Sequence, residues 1–331
     1  MTTDSKRAKL IMRIGTHNGT FHADEALAVY MLRLLSKYKD ATVVRSRTPE
    51  ILDACDIVVD VSAKYDGIKY FDHHQKGFEE TFSREFNTKL SSAGLIFKHF
   101  GKEIISSTVD LAEADPTVVL LHNKIYASMI EAIDGSDNGI PQYPDDIQKA
   151  YDTRSITLPG MVASLNPTWN EESSDEILYT QFLKASELMG STFMNVLKYY
   201  CKSWLPARDI VAQALNEATK YDPEGRIVVF DQFTSWKDHI FKLETELGYG
   251  KRTLYVLYSD GKGWRIQAVP LTSSSFQSRK ALPEAWRGVR DDDLSELSGI
   301  EGCVFVHASG FIGGNQTREG ALKMAYKAIE L

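Results

Sequence analysis

The sequence predicts an α/β protein with an N-terminal, mostly parallel-sheet domain and a smaller C-terminal α/β domain. Between residues 10 and 100, short apolar runs typical of strands alternate with segments of helical periodicity, and the alternation returns after residue 225. Strands that alternate with helices indicate largely parallel sheets. The chain has 331 residues, whereas a typical domain has roughly 150 residues. Each alternating region is therefore long enough to bury its own core.

The N-terminal domain, residues 8–174, is predicted to contain four strands and three long helices. The strands correspond to the runs LIMRI, TVV, IVVDV and IKYF. Apolar spacing and N-cap residues predict helices over 24–38, from Ser91 and Ser92 to Phe100, and over 118–133. Gly101 is expected to end the second helix. Turn-forming residues between 134 and 170 predict loops with short elements.

A helical bridge over residues 175–224 is predicted between the domains, because apolar residues keep helical spacing through most of this segment. The C-terminal domain, residues 225–331, is predicted to contain four strands. They correspond to the runs RIVVF, TLYVLYS, GWRIQAV and CVFVHA. A glycine-rich loop and a closing helix over 317–329 are expected to follow them.

Charge and hydropathy exclude several classes of protein. The chain carries 38 Lys and Arg residues against 45 Asp and Glu residues, a formal charge of −7, which is the wrong sign for nonspecific coating of nucleic acid. A polyanionic substrate would therefore need a local basic groove or metal ions. No apolar run approaches the roughly 18 residues of a membrane span, so we expect a soluble protein with no membrane partner.

The cysteines indicate a reducing compartment. Cys55, Cys201 and Cys303 are odd in number and lack CxxC spacing, so we expect buried thiols. The cytoplasm, with access to the nucleus, is the favoured location. Mitochondrial import is the alternative, because the first residues are basic.

Side chains able to bind metal follow the first predicted strand. His17, His22 and Asp24 lie where this strand leads into the first helix. Open α/β sheets bind ligands at the carboxyl ends of their strands, and two imidazoles with a carboxylate suit a first-row divalent metal ion. A helix cap is the alternative role for His22 or Asp24 alone, but it explains the three residues together less well.

Ionisable residues also follow two later strands and one helix. Asp60 follows one apolar run, and Asp72, His73 and His74 follow the next. A carboxylate at the end of a buried strand needs a cation or hydrogen-bond donors, which favours metal binding by Asp60 over a loop cap. Asp134, after an apolar helix, is a fourth candidate, with a helix-terminal turn as the alternative.

The segment after the last predicted strand suits a phosphate site. Gly313 and Gly314 would let backbone amides approach a phosphate, and the next helix would present its positive end. His307, Ser309 and Asn315 lie in the same segment. We therefore predict substrate binding there.

Basic residues in the C-terminal domain would supply the local groove that the acidic average lacks. Arg279 is the one that we assign to substrate binding. A solvated surface position is the alternative for any one of them, because most Lys and Arg side chains are exposed. The group comprises Arg265, Arg279, Lys280, Arg287, Arg290 and Arg318.

The order of these motifs resembles that of the DHH phosphoesterases, a superfamily of two-metal phosphohydrolases. Longer strings resemble the eukaryotic Myg (melanocyte proliferating gene) branch over nearly the whole chain. These strings are GTHNGTFHADEALA, DHHQKGF, LSSAGLIFKHFG, EAIDGSDNG and HASGFIGGNQTREGAL.

The resemblance implies two divalent metal ions, with Mn²⁺ expected, in an active-site cleft between the domains. By position, one ion would be held by His17, His22 and Asp60, and the other by Asp24, Asp60, His73 and Asp134. Asp60 would be shared by the two ions. His22 stands where the superfamily commonly has an aspartate, which changes the charge at one ion.

Two residues of the DHH motif receive catalytic roles. Asp72 would fix an imidazole, and His74 would bind the phosphate or help to protonate the leaving oxygen. A structural histidine is the alternative for His74. The glycine-rich segment resembles the substrate-binding loop of the associated C-terminal domain.

The activity that the resemblance implies is 3′ to 5′ hydrolysis of single-stranded RNA, with release of nucleoside 5′-monophosphates. Two alternatives stay open. One is a hydrolase of short oligonucleotides or pyrophosphate with the same two-metal centre, and the other is a noncatalytic RNA-binding protein. A homodimer is one open assembly state.

Overall fold

The structure, a computed structural model, describes residues 11–144 and 146–331. The chain divides into two compact units, of which the first ends at Cys201 and the second begins at Lys202. The expected bridge over 175–224 is therefore split between the units. Both units combine a sheet with helices, so the α/β prediction is confirmed.

The first unit contains a sheet of four parallel strands in the order β2-β1-β3-β4. Most residues of β1, β3 and β4 are buried, and β3 is an entirely apolar run of the kind that parallel sheets favour. The strands are β1 (Arg13–Thr16), β2 (Thr42–Arg45), β3 (Ile57–Val59) and β4 (Tyr70–Phe71). All four match predicted runs, and their carboxyl ends meet at one edge of the sheet.

Helices of the first unit pack on this sheet and on one another. They are α1 (Ala23–Leu34), α2 (Pro49–Asp53), α3 (Ser92–Val109), α4 (Pro116–Ile125), α5 (Glu131–Asp137), α6 (Leu158–Ala163) and α7 (Asp175–Tyr199). A π-helical turn, Tyr126–Ile130, joins α4 to α5. Helix α7 packs on α1, where the Ser186 hydroxyl donates to the Ala26 carbonyl at 2.9 Å.

Gly101 does not end α3, and that prediction was wrong. The helix continues to Val109. A Cβ atom at Gly101 would lie 2.8 Å from ring atoms of His122 on α4. Glycine is needed here because α3 and α4 pack closely, so tertiary contact and not helix capping explains the residue.

The second unit contains a mixed five-stranded sheet in the order β5-β6-β7-β9-β8. Only β5 and β6 are parallel. The strands are β5 (Ile227–Phe230), β6 (Tyr255–Ser259), β7 (Trp264–Ala268), β8 (Cys303–Val306) and β9 (Ile312–Asn315). The helices are α8 (Leu205–Glu217), α9 (Lys237–Glu246), α10 (Asp291–Ser298) and α11 (Arg318–Glu330). Alternate strand residues enter two separate apolar cores, so helices cover both faces of the sheet.

The glycine-rich segment is not a loop, which corrects the prediction. Gly313 and Gly314 lie in β9, paired with β7 on one side and β8 on the other. A Cβ atom at Gly314 would lie 2.5 Å from the Arg265 guanidinium. Because these two residues lack side chains, neighbouring side chains of the sheet can pack directly over them. Their backbone amides belong to the sheet and do not form an open phosphate-binding loop.

Two other residues assigned to substrate binding have internal partners. The Arg279 guanidinium is buried and donates to both Glu244 carboxylate oxygens, at 2.9 and 2.7 Å. The buried Asn315 side chain donates from Nδ2 to the Glu301 carbonyl at 2.8 Å, and its Oδ1 accepts from the backbone amide of Thr317 at 2.9 Å. Both side chains stabilise the second unit, so their assignment to a substrate groove was wrong.

His307 and Ser309 lie on the exposed turn between β8 and β9. The His307 ring contacts the Ser309 hydroxyl at 2.9 Å. Their role in substrate binding stays a prediction. The three cysteines are buried, as expected. Across 11–144 and 146–331, no helix combines the length and apolar character needed to cross a membrane.

The packing at Gly101 generates a stability prediction. We expect Gly101→Ala to lower the free energy of unfolding by about 1–3 kcal/mol, because the added methyl group overpacks the contact with His122. Gly135→Ala is the matched control: it is also helical, but its Cβ would lie 3.9 Å from the nearest atom, so a small gain of up to about 1 kcal/mol is expected. Urea unfolding measures both variants. Equal effects of the two substitutions would contradict the account.

Candidate metal centre

The strand ends of the first sheet surround a cleft of about 710 Å³. The cleft is lined by charged, polar and apolar residues, and all of them belong to the first unit. Its charged and polar lining comprises His17, His22, Asp24, Arg47, Asp60, Ser62, Asp72, His74, Ser136 and Asp137. Its large apolar lining residues are Phe21, Ile133 and Pro159.

Asp60 lines the cleft and is 4% exposed. Its Oδ2 lies 3.4 Å from His17 Nε2, and its Oδ1 lies 3.4 Å from His73 Nε2. The Ser92 hydroxyl donates to Oδ1 at 3.2 Å. Burial alone would raise the pKa of Asp60, but the two imidazoles hold this pKa well below its usual range. Asp60 is therefore an anion shared by two groups of ligands.

The backbone at Asp60 is strained. Asp60, Ser62 and Ala63 all have positive φ angles, of 56°, 101° and 52°, a conformation that non-glycine residues rarely adopt. Such strain persists only where the surrounding structure holds it, and it is common at functional sites. Here it turns the chain sharply after β3, at the edge of the sheet.

One group of potential ligands lies where β1 leads into α1. His17, His22, Glu25 and Asp60 each offer an atom, and these atoms lie within 4.8 Å of one another. Glu25 Oε1 is 3.1 Å from His17 Nε2, and the Glu25 carboxylate accepts from the His22 amide at 2.8 and 3.0 Å. Glu25 was not predicted from the sequence. Its position could have indicated this residue, because it lies three residues after the N-cap His22, where a carboxylate closes a capping box.

A second group combines Asp24, His73 and Asp137, whose ligand atoms also lie within 4.8 Å of one another. His73 Nε2 is 3.1 Å from Asp137 Oδ2. The other ring nitrogen, Nδ1, contacts the Asn138 side-chain oxygen at 3.2 Å. Asn138 therefore orients His73 with Nε2 toward the carboxylates. Neither Asp137 nor Asn138 was predicted from the sequence.

Asp134 is not part of either group, which corrects its assignment as a ligand. Its carboxylate is fully buried and accepts from the Ser91 amide at 3.0 Å, the Ser91 hydroxyl at 2.7 Å and the Tyr126 hydroxyl at 2.9 Å. Burial raises the pKa of Asp134 to about 7, although these hydrogen bonds oppose the shift. Asp137, one helical turn later, occupies the position expected for Asp134.

The surroundings of Asp24 show that these residues fit a metal ion. Its side chain is completely buried, and within the described part of the chain neither carboxylate oxygen has a hydrogen-bond partner. Burial, and then the negative charges of Asp60 and Asp137, raise the pKa of Asp24 well above its usual range. An unpartnered carboxylate in such surroundings is costly unless a cation compensates it. The donor set of imidazoles and carboxylates therefore fits divalent metal ions.

The histidines respond to the same concentration of negative charge. Burial alone would lower the pKa of His17 and His73, but the carboxylates beside them raise each pKa to about 10. These carboxylates are Asp60 and Glu25 for His17, and Asp137 and Asp60 for His73. In the metal-free protein the imidazoles therefore hold protons that a metal ion would displace.

Asp72 contacts the ring of His74. Asp72 Oδ1 accepts from the His74 ring at 2.7 Å, and Oδ2 accepts from the Ala63 amide at 2.6 Å. The hydrogen bond to Asp72 raises the pKa of His74, whose side chain is 60% exposed. His74 therefore presents a ring that is held at Nδ1 and open to solvent elsewhere.

The raised histidine pKa values predict that metal binding depends on pH. Each Mn²⁺ ion must displace a proton from His17 or His73, so the affinity should rise about tenfold per pH unit for each displaced proton between pH 6 and 8. Calorimetric titration at several pH values, in buffers of different protonation enthalpy, measures the affinity and the protons released. Equal affinity at pH 6 and pH 8 would contradict the account.

Comparisons with known proteins identify the family. The MYG1_exonuc family model, described as an uncharacterised protein family (UPF0160), matches residues 13–329. A MYG1 protein of Schizosaccharomyces pombe is 52% identical, over 97% of this chain and 98% of the relative. The MYG1 exonuclease of Homo sapiens is 48% identical, over 96% of this chain and 86% of the relative.

Among solved structures, RecJ from Thermus thermophilus in complex with Mn²⁺ aligns with 96% of this chain and 52% of its own. The sequence identity is 15% and the TM-score is 0.24, a likeness too weak to carry a structural argument. The family assignment rests on the two relatives and the family model, which agree with the resemblance inferred from the motifs. The chain belongs to the MYG1 family.

Proposed function

We propose that this protein is a metal-dependent exonuclease that hydrolyses single-stranded RNA from the 3′ end and releases nucleoside 5′-monophosphates. The observation that carries the proposal is the juxtaposition of two ligand groups. One contains Asp60, the other contains the buried and unpartnered Asp24, and His73 of the second group lies 3.4 Å from Asp60. The relationship to a human protein named an exonuclease supports it. RNA as the substrate and cleavage from its 3′ end are both parts of this proposal.

Two divalent ions fit the proposed activity. His17, His22, Glu25 and Asp60 would hold one ion, and Asp24, Asp60, His73 and Asp137 the other. Such a pair supplies an activated water and neutralises charge on the phosphate and on the leaving oxygen. Imidazole ligands favour Mn²⁺ over the harder Mg²⁺, so Mn²⁺ is the proposed cofactor.

His74 is the proposed proton donor. Because Asp72 holds Nδ1, the opposite ring nitrogen is the one that faces a ligand. The raised pKa of His74 keeps the ring protonated closer to neutral pH than an ordinary histidine. A protonated His74 can donate a hydrogen bond to a phosphate oxygen or a proton to the leaving oxygen.

The cleft lining also offers apolar contacts for a nucleobase. Phe21 lines the cleft, and the Asn166 side chain fixes the Phe21 backbone by accepting from its amide and donating to its carbonyl, both at 3.0 Å. The volume of about 710 Å³ lies within the roughly 300–1,000 Å³ typical of small-molecule sites. The cleft therefore has room for the end of a nucleic acid chain.

The function is tested by incubating the protein and Mn²⁺ with end-labelled RNA, end-labelled DNA, a dinucleotide and pyrophosphate in parallel. Stepwise shortening of RNA labelled at its 5′ end, with mononucleotide product, supports the proposal. Preferred turnover of the dinucleotide or of pyrophosphate would replace it with a small-substrate hydrolase. RNA binding with no hydrolysis of any substrate would indicate a noncatalytic binding protein.

Asp60→Asn should remove more activity than any other single change among the ligands, because Asp60 lies between both groups. We expect kcat to fall at least about a hundredfold, the cost typical of losing one preorganised electrostatic contact, together with loss of bound Mn²⁺. Asp209→Asn is the charge-matched control, an exposed position on α8. Metal analysis measures bound Mn²⁺, thermal unfolding measures stability, and the RNA assay measures kcat. A folded Asp60→Asn protein with full metal content and normal turnover would contradict the assignment.

A further inference from the structure

Each strand of the first sheet ends beside the cleft, and the segment after β2 contributes a cation to it. Residues after β1, β3 and β4 provide the histidines and carboxylates described above. The segment after β2 provides Arg47, which lines the cleft. Among the cleft-lining residues in the described part of the chain, Arg47 is the only Lys or Arg.

The backbone on both sides of Arg47 is fixed. The Ser46 amide donates to the Thr16 carbonyl at 2.8 Å, which continues the pairing of β2 with β1. The Thr48 amide donates to the Ser46 hydroxyl at 3.1 Å, and α2 begins at Pro49. Arg47 therefore projects from a rigid corner and not from a long loop.

Arg45, two residues earlier, shows how an arginine with a structural role is held here. Its guanidinium donates to the carbonyls of His17 at 3.1 Å, Gly19 at 2.7 Å and Leu178 at 3.2 Å. Arg47 is exposed, and within residues 11–144 and 146–331 it forms no ion pair. An unpaired guanidinium beside a carboxylate-lined cleft is available to bind an anion.

Charge balance shows why such a cation is needed. The two ligand groups contain four carboxylates, from Asp24, Glu25, Asp60 and Asp137. Two divalent ions would neutralise these four charges and leave no excess positive charge for a substrate. A protonated His74 would be paired with the Asp72 carboxylate, so Arg47 is the cation of the cleft lining that is free to bind an entering phosphate. A guanidinium binds phosphate oxygens in a bidentate manner.

We propose that Arg47 binds a phosphate group of the substrate in this cleft. This inference rests on the proposed function, because it specifies a binding residue for the same site. It also supplies, inside the first unit, a basic contact of the kind that was predicted at Arg279. Arg47 is a binding residue, and the ligand groups around Asp60 do not include it.

The test compares Arg47→Ala and Arg47→Lys with Arg84→Ala, a matched change at another exposed arginine. Adenosine 5′-monophosphate is the binding probe, in the presence of Mn²⁺, with adenosine as the probe that lacks phosphate. Single-stranded RNA is the second probe, with its affinity measured at several salt concentrations. Metal content and the thermal unfolding midpoint are measured for every variant.

Arg47→Ala should bind adenosine 5′-monophosphate about 10 to 100 times more weakly, as expected for loss of a charged hydrogen bond. Its slope of log affinity against log salt for RNA should fall by about 0.7, the value for one phosphate contact on a single strand. Arg47→Lys should lie between Arg47→Ala and the wild type, and Arg84→Ala should match the wild type. Metal content and stability should not change in any variant.

Wild-type affinity and salt slope in Arg47→Ala would overturn the inference, and so would loss of bound metal in that variant. An equal effect of Arg84→Ala would overturn it as well, because only general charge would then matter. If the wild type cleaves no phosphodiester but binds the nucleotide through Arg47, the proposed function fails and the inference stands. If the wild type cleaves RNA and Arg47→Ala does so equally well, the inference alone fails.

Discussion

The site depends on a buried negative charge at Asp60. This carboxylate has imidazoles on both sides, at 3.4 Å from His17 and from His73, and it sits on a backbone with positive φ. A buried carboxylate is tolerated only with compensating positive charge or hydrogen bonds. The fold places Asp60 at the end of β3, between β1 and β4, so the residues that compensate it come from both neighbouring strand ends. The same arrangement brings two ligand groups together around one shared residue.

Contacts at the Nδ1 atoms orient the imidazoles around the Asp60 carboxylate. His17 Nδ1 contacts the Asn18 carbonyl at 3.1 Å, His73 Nδ1 contacts Asn138 at 3.2 Å, and His74 Nδ1 contacts Asp72 at 2.7 Å. Fixing one nitrogen of a ring determines which nitrogen faces a ligand. Side chains held in this way lose less conformational freedom when a ligand binds, which lowers the cost of ordering the site.

The sequence predicted the strand ends well, because short apolar runs followed by ionisable residues have a local signature. It could not separate Asp134 from Asp137, since a spacing of three places both on one helix face. That choice depends on Ser91, which immediately precedes α3 and donates to Asp134. Likewise, glycines favour loops by local propensity, and only the pairing of β7, β8 and β9 reveals Gly314 as a strand residue. Arg279 has a partner 35 positions away, which no local pattern contains.

The most direct test of the account is where metal ions bind. Crystals grown with Mn²⁺ and measured at the manganese absorption edge would locate the ions by anomalous scattering. We expect two peaks about 3.5–4 Å apart, both in contact with the Asp60 carboxylate, with Glu25 at one and Asp137 at the other. A single peak that does not touch Asp60, or a peak coordinated by Asp134, would contradict the central claim.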